Sequence, residues 1–369
     1  MIEQASALSG TFRALLLFDI AEAIDLRRLQ EILGTTGSTR REPAFRHPAP
    51  EYVRFERPPV VEPLGPSSTN DGQTLLGRIR YFDYGVASVE LRMPFQADWP
   101  GLIKFVNRWM MSPELEGRAR TLLRESSSKI SASLRKPNEG WTFEDYYVVQ
   151  VDPIENPDGS LLSAESLVRQ AGGEIAQIVR ADSGPLAPAE RQEVLQASMS
   201  YYPADLLVVG WVGAFLYDTP SGAEPTIDLL EYANSQLLEF RYYDDVLTRV
   251  LATVYQQLER KRGFWARWRM AREAGNLNTI RLDYQELAEK TENAIKFVSD
   301  MFYARAYRLA AARIGVNDYR NLVTGKLQTA RDLYDSMVNE FHQARAFFLE
   351  LMVVVILIIE IVFLFKGKG

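Results

Sequence analysis

The residues best suited to chemistry form a charged and aromatic run two thirds of the way along the chain. The run contains Glu239, Arg241, Tyr242, Tyr243, Asp244 and Asp245. Carboxylates beside an arginine and tyrosines could bind a metal ion or transfer protons. On one helix, however, Arg241 and Asp245 are i,i+4 partners, and adjacent carboxylates point about 100° apart. We therefore favour a structural ion-pair cluster of Glu239, Arg241, Asp244 and Asp245 over a metal or acid–base site.

Other residue types that commonly catalyse reactions are scarce. The 369 residues include no cysteine, which excludes disulfides, thiolate metal sites and cysteine nucleophiles. A histidine-based triad would need His47 or His342, and neither has a nucleophile motif nearby. The glycines at 34–37 and 325 lack the spacing of a phosphate-binding loop. We predict no catalytic residues, no metal site and no cofactor.

Charge argues against a protein that coats nucleic acid, because 42 basic and 48 acidic residues give a formal charge of −6. A local exception is a basic and aromatic linker that contains Arg262, Trp265, Arg267, Trp268 and Arg269. Tryptophan and arginine are typical of a lipid headgroup boundary, so we predict contact with a membrane surface here. The alternatives are tryptophans packed between helices and binding of single-stranded RNA.

The end of the chain is strongly apolar. Residues 346–365 are interrupted only by Glu350 and Glu360, and at 1.5 Å per residue they cover about 30 Å. This run predicts one transmembrane helix in a tail-anchored protein of the inner (cytoplasmic) membrane, with its body in the cytoplasm. A buried core helix is the alternative. We expect both glutamates to lie near headgroups or in contacts between copies, so the predicted partners are the bilayer and a second copy of the chain.

The elements that must position these residues fall into two parts. Residues 1–220 alternate strand and helix patterns, which predicts an α+β domain with a Pro-rich loop at 35–73 and an edge strand near Tyr52. Residues 226–345 carry apolar residues at spacings of three and four, which predicts a helical stalk. A glycine stop followed by an N-cap at 315–318 predicts the turn of an antiparallel helical hairpin. The fold expected is thus a mixed α/β domain, a long-helix stalk and one C-terminal transmembrane helix.

Three segments carry a resemblance to known proteins. They read ANSQLLEFRYYDDVLTRVLATVY at 233–255, YFDYGVASVEL at 81–91 and RAFFLELMVVVILIIEIV at 345–362. These segments resemble the required-for-meiotic-nuclear-division family, also called the YagE-like proteins, and the chain looks like a bacterial member. The resemblance implies an α+β domain, a stalk, one terminal anchor and no assigned enzymatic activity. Eukaryotic relatives sit in the mitochondrial inner membrane and support translation by tethering ribosomes, which implies a ribosome or another protein as partner.

Two functions from different classes are compatible with these patterns. The favoured function is a non-enzymatic, tail-anchored scaffold or tether that presents its α+β domain to a protein or ribosome-like partner. The alternative is a membrane-bound enzyme or ligand sensor centred on Arg241, Asp244 and Asp245. That alternative requires the three side chains to converge in a concave pocket. Direct binding of nucleic acid is not expected in either case.

Overall fold

The structure, a computed structural model, describes residues 7–34, 58–259, 279–280, 282, 284–285 and 301–366. Side chains at 254, 257–259, 334, 337–348 and 362–366 lie outside this description. The chain divides into two units. Unit 1 comprises Met1–Tyr242 and Glu289–Tyr319, and unit 2 comprises Tyr243–Ala288 and Arg320–Gly369.

Unit 1 is built on a sheet that has eight strands within the described residues, in the order β2-β3-β4-β1-β5-β8-β7-β6. The strands are β1 (Leu8–Ile24), β2 (Val60–Ser68), β3 (Thr74–Tyr81), β4 (Val86–Ala97), β5 (Leu134–Val151), β6 (Ser198–Met199), β7 (Leu206–Val209) and β8 (Gly213–Tyr217). Neighbouring strands are antiparallel except for β5 and β8, which are parallel. Together with the helices, the sheet makes a mixed α/β fold.

The described residues also form helices of very different lengths. They are α1 (Leu26–Ile32), α2 (Trp99–Trp109), α3 (Pro113–Ile130), α4 (Ala164–Arg180), α5 (Pro188–Gln196), α6 (Pro220–Glu259), α7 (Met301–Ile314) and α8 (Val316–Lys366). Helix α6 starts before the predicted 226 because Pro220 takes the first helical position, where a missing N–H costs nothing. Just upstream, Thr219 accepts the N–H of Gly222 through its hydroxyl at 3.1 Å, as an N-cap does.

The two faces of the sheet have different chemistry, and β1 shows why. Side chains alternate along a strand, so Phe12, Leu16 and Phe18 share one face. These three side chains belong to the apolar core together with side chains of α2, α3 and α4. Arg13 lies on the opposite face and pairs with Glu224 of α6. The core therefore sits on one side of the sheet, and polar contacts hold α6 on the other.

The predicted Pro-rich loop at 35–73 contains a strand in its second half. Strand β2 lies at one edge of the sheet and includes Pro63 and Pro66. Proline cannot donate to a ladder of hydrogen bonds, and an edge strand tolerates this loss because one of its sides is unpaired. The edge strand predicted near Tyr52 lies outside the described residues.

The predicted hairpin turn at 315–318 falls at the junction of α7 and α8. Helix α7 ends at Ile314, Gly315 has φ +93°, and α8 begins at Val316. Glycine is suited to this position because a positive φ strains residues that carry a Cβ. A Cβ at Gly315 would also approach the ring of Trp211 to 3.1 Å.

The predicted transmembrane helix at 346–365 is wrong. Among the residues that the structure describes, no helix combines the length and apolar character needed to cross a membrane. Glu350 and Glu360 interrupt the apolar run, whereas crossing a bilayer core of about 30 Å takes about 20 mostly apolar residues. The predictions of a tail anchor and of a single-pass inner-membrane protein are therefore wrong as well.

The turn between β3 and β4 depends on Gly85, which has φ +102° and whose added Cβ would lie 1.7 Å from the carbonyl oxygen of Ala21. We expect Gly85→Ala to lower the free energy of unfolding by about 2–3 kcal/mol in urea unfolding followed by circular dichroism. Gly117→Ala is the control, since Gly117 lies in α3 with open space around it. It should raise stability by about 0.5–1 kcal/mol. Equal stability of the two variants would contradict this account of Gly85.

Candidate functional site

A charged cluster is buried between the sheet and α6 in unit 1, on the face of the sheet opposite the apolar core. We call it the ionic cluster. Its basic members are Arg13 on β1, Arg78 and Arg80 on β3 and Arg92 on β4. Its acidic members are Glu90 on β4 and Glu224, Asp228 and Glu231 on α6.

Local structure explains how the sequence brings these residues together. Arg78 and Arg80 are two positions apart on β3, and Glu90 and Arg92 are two apart on β4, so each pair points to one face of the sheet. The register places Arg78 opposite Glu90. The three acidic residues of α6 follow one another at spacings of four and three, which aligns them along one face of the helix.

Glu90 is the centre of the ionic cluster and is inaccessible to solvent. Its Oε1 lies 2.9 Å from Nη1 of Arg13 and 3.4 Å from Nε of Arg92. Its Oε2 pairs with Nε of Arg78. Arg13 continues to α6, where its Nη2 lies 2.7 Å from Oε1 of Glu224. One carboxylate thus links three strands of the sheet.

Arg80 makes the second connection to α6. Its Nη2 lies 2.6 Å from Oδ1 of Asp228, and its Nη1 lies 2.7 Å from Oε2 of Glu231. Glu231 is fully buried, like Glu90. Helix α6 therefore docks on this face of the sheet through paired charges.

The surroundings shift the pKa values of the two buried carboxyls in opposite directions. Burial alone would raise the pKa of Glu90, but the attraction of Arg78, Arg13, Arg92 and Arg80 lowers it to about 2. For Glu231 burial is the larger effect, and its pKa is raised although Arg80 and Arg78 oppose the change. The surrounding guanidinium groups thus hold Glu90 in its ionised form.

The ionic cluster has no net formal charge and is largely buried. Four guanidinium groups face four carboxylates, so its formal charges cancel. The most exposed members are Arg92 and Glu224, whose side chains are 29% and 25% exposed. Groups that neutralise one another away from solvent are poorly placed to act on a substrate. They are well placed to fix the orientation of α6, since an unpaired buried charge is costly.

Further along α6, hydrogen bonds between neutral side chains take the place of the ion pairs. Ser235 and Tyr84 share a hydrogen bond of 2.5 Å between their hydroxyls. Tyr307 on α7 donates to Oε1 of Gln236. Burial raises the pKa of Tyr84 well above its ordinary value. Buried polar side chains thus recur along several turns of α6, among buried apolar ones.

The structure places the residues of the predicted ion-pair cluster in different environments. Glu239 is buried. Arg241 pairs with Glu144 on β5, and its guanidinium lies 5.8 Å from the ring centre of Tyr319. Within unit 2, Oδ1 of Asp244 lies 2.6 Å from Nζ of Lys326, and Asp245 is exposed. Arg241 therefore forms its ion pair with Glu144.

The other predicted site residues are placed as follows. The proposed membrane-surface residues Arg262, Trp265, Arg267, Trp268 and Arg269 lie outside the described residues. Glu350 and Glu360 are exposed on α8. In the part of the chain that the structure describes, no group of three or more potential ligands is arranged to hold a metal ion. The absence of a metal and a cofactor stays a prediction.

Sequence reasoning missed the ionic cluster, although its signals were present. Arg78 and Arg80 alternate with apolar residues in a strand pattern, and so do Glu90 and Arg92. The acidic stripe of α6 begins at Glu224, in the gap between the two predicted parts, 1–220 and 226–345. Charges on alternate strand positions together with an acidic helical stripe would have predicted the cluster.

The fold and the ionic cluster define a mixed α/β protein whose sheet carries an apolar core on one face and a charge-paired helix on the other. Residues 9–224 match the family described as "Uncharacterized protein MJ0711, N-terminal domain", and the chain belongs to this family. The match covers more than half of the chain. It includes the eight strands of the described sheet, apart from the first residue of β1, and the start of α6.

One curated relative is the "Uncharacterized protein MJ0711" of Methanocaldococcus jannaschii. It is 19% identical over 229 residues, which cover 62% of this chain and 68% of the relative. No solved structure matches the chain.

The resemblance to the required-for-meiotic-nuclear-division family is therefore wrong. Two of the segments that suggested it, 233–255 and 345–362, lie beyond the family match at 9–224. Both segments are long helices in the structure. Apolar residues at spacings of three and four occur in many long helices, so they identify a type of element and not a family.

Proposed function

We propose that the protein is a non-enzymatic scaffold that self-associates through α8 and presents unit 1 to a protein partner. The observation that carries this proposal is an exposed apolar stretch in α8. Leu349 and the apolar side chains from Leu351 to Ile361 are 46–57% exposed. Contiguous apolar surface of this kind marks an interaction site in most proteins.

The occupant that best fits the apolar stretch is a second copy of the chain. Earlier in the same helix Val323, Leu327 and Ala330 are buried, so α8 changes from a packed to an exposed helix along its length. The exposed residues lie on all sides of the helix, and such a helix is normally enclosed by others. A second copy supplies a helix of the same length and apolar character. Since 349–361 contain no cation, an anionic partner such as RNA would gain no ion pair there.

The ionic cluster supports a function without catalysis. Its charged groups pair with one another and hold α6 on the sheet. The alternative of an enzyme or ligand sensor needs Arg241, Asp244 and Asp245 to act together. Arg241 instead pairs with Glu144, Asp244 pairs with Lys326, and Asp245 is exposed. These pairs favour the scaffold over that alternative.

Light scattering on the full chain after size-exclusion chromatography tests self-association. We expect an oligomer in the wild type and a monomer in the double variant Val354→Asp, Ile358→Asp, whose changes lie one helical turn apart. Leu322→Asp is the matched control, because Leu322 is 52% exposed on the same helix but outside the apolar stretch. This control should remain oligomeric.

Two results would overturn the proposal of a second copy. One is a wild-type chain that is monomeric at every concentration. The other is a double variant that keeps the wild-type mass. If a ribosomal component or another protein instead copurifies in fixed stoichiometry and is lost in the double variant, α8 binds that partner and not a second copy.

A further inference from the structure

Unit 1 contains a cleft between α4 and α5 that shares no residue with the ionic cluster. We call it the α4–α5 cleft, and its volume of about 550 Å³ is typical of sites that bind small molecules. Helix α4, the loop that follows it and helix α5 supply the lining. The lining residues that determine its chemistry are Val168, Gly173, Glu174, Leu186, Arg191 and Leu195.

Two consecutive glycines of α4 shape the floor of the cleft. The helix departs from regular geometry at Ala171, which has φ −128° and ψ 21°, and Gly172 and Gly173 follow directly. A Cβ at Gly172 would approach Cδ1 of Leu195 to 3.0 Å, so this glycine lets α5 pack closely. A Cβ at Gly173 would lie 4.0 Å from Nη1 of Arg191. Because Gly173 has no side chain, the surface of α4 beside this guanidinium stays open to a ligand.

Two opposite charges line the cleft without neutralising each other. Glu174 is half-buried and Arg191 is exposed. In the part of the chain that the structure describes, neither side chain forms an ion pair or a hydrogen bond. The third charged residue of the described lining, Arg169, pairs at 2.6 Å with Glu165, one turn earlier on α4. The cleft therefore presents one carboxylate and one guanidinium that can both bind a ligand.

Apolar side chains complete the walls of the cleft. Val168, Leu186 and Leu195 are half-buried and pack against the apolar core. The part of each side chain that stays accessible lines the cleft. An aliphatic group that contacts these side chains leaves water, which favours its binding.

We propose that the α4–α5 cleft binds a zwitterion of the α-amino acid class that carries an apolar side chain. Arg191 donates paired N–H groups to the carboxylate, and Glu174 accepts N–H groups from the ammonium. The apolar walls contact the side chain of the ligand. A simple anion would leave Glu174 without a partner, and a simple cation would leave Arg191 without one. A zwitterion is therefore the ligand whose charges match both groups.

Calorimetric titration of the full chain with leucine tests the site. Isocaproate is leucine without its ammonium group, and isoamylamine is leucine without its carboxylate, so each analogue keeps the aliphatic part. We expect leucine to bind at least about 10-fold more tightly than either analogue, because each analogue loses one charge-assisted pair.

Two variants show which side chain binds which charge of the ligand. Arg191→Gln should weaken the binding of leucine by about 10-fold without weakening that of isoamylamine, which has no carboxylate. Glu174→Gln should weaken the binding of leucine by about 10-fold without weakening that of isocaproate, which has no ammonium group. Arg27→Gln is the matched control, since Arg27 is an exposed arginine of α1, and it should bind leucine like the wild type.

Gly173→Ala separates binding from folding. The added methyl group narrows the floor of the cleft, so we expect leucine to bind about 5-fold more weakly. Alanine favours a helix more than glycine does, and its Cβ would meet Arg191 only at ordinary contact distance. The midpoint of thermal unfolding should therefore not fall in this variant.

The dipeptide leucyl-leucine distinguishes a free amino acid from a short peptide. Binding of leucine at least as tight as that of the dipeptide assigns the cleft to a free amino acid, and tighter binding of the dipeptide assigns it to short peptides. The proposal is overturned if neither zwitterion binds at up to about 50 mM. It is also overturned if isocaproate or isoamylamine binds as tightly as the better zwitterion, or if Arg191→Gln and Glu174→Gln bind that zwitterion like the wild type. The cleft does not include α8, so these outcomes are independent of self-association.

Discussion

Glu90→Gln is expected to lower the free energy of unfolding by about 3–5 kcal/mol, although it changes neither the size nor the shape of the side chain. The substitution removes the one carboxylate that Arg13, Arg78 and Arg92 share. These guanidinium groups stay buried or half-buried, and the ionic cluster gains a net positive charge. Removing one partner of a buried pair is costly because the desolvation of the remaining charge is no longer offset.

Urea unfolding followed by circular dichroism measures this effect, and Glu116→Gln is the matched control. Glu116 also pairs with an arginine, Arg120 at 2.8 Å, but both side chains are partly exposed. An exposed pair contributes less than about 1 kcal/mol, so the control should unfold close to the wild type. Similar unfolding midpoints for the two variants would show that Glu90 does not hold the cluster together.

The second large effect is a change in pH dependence on replacing Asp19. Asp19 is 3% exposed, and its Oδ1 accepts the amide of Asn138 at 2.8 Å. Burial raises the pKa of Asp19 from 3.8 to about 7, although that hydrogen bond opposes the shift. Between these values the folded chain holds a proton that the unfolded chain has released. The contribution of Asp19 to stability is therefore full below pH 3.8 and is lost as pH rises through about 7.

Asp19→Asn should abolish this part of the pH dependence, since asparagine does not titrate and keeps an oxygen for Asn138. The wild type should lose up to about 1.4 kcal/mol per pH unit more than the variant between pH 5 and 7. Glu90 does not interfere in this window, because its contribution is lost only as pH falls from 4.5 toward 2. Unfolding in urea at several pH values gives the two slopes. Asp335→Asn, at an exposed site on α8, should follow the wild type. Parallel slopes for the wild type and Asp19→Asn would contradict a raised pKa.

Local patterns predicted those parts of the fold whose signals lie within one segment. The glycine at 315 is a signal of this kind, because its positive φ depends on the backbone of a single residue. Strand β2 falls within the predicted Pro-rich loop at 35–73, and prolines are unfavourable in a central strand. The strand lies at the edge of the sheet, where prolines are tolerated. The sequence of a single segment does not reveal this position.

The ionic cluster was harder to predict, since it depends on contacts between distant parts of the chain. Arg80 and Asp228 are 148 positions apart and become partners only when α6 docks on β3. Each charge taken alone looks like an ordinary exposed residue. At the apolar end of α8, the local pattern gave a wrong prediction. Its composition suggested a membrane span, but no helix among the described residues has the length and apolar character that a span needs.

The two edge strands of the sheet disfavour aggregation. Among the described strands, β2 forms one border and carries two prolines, which leave gaps in the row of N–H groups that another chain could use. Strand β6 forms the opposite border and has only two residues. Sheets with blunt borders of this kind resist extension by strands of neighbouring molecules, so growth into cross-β fibres is hindered at both sides.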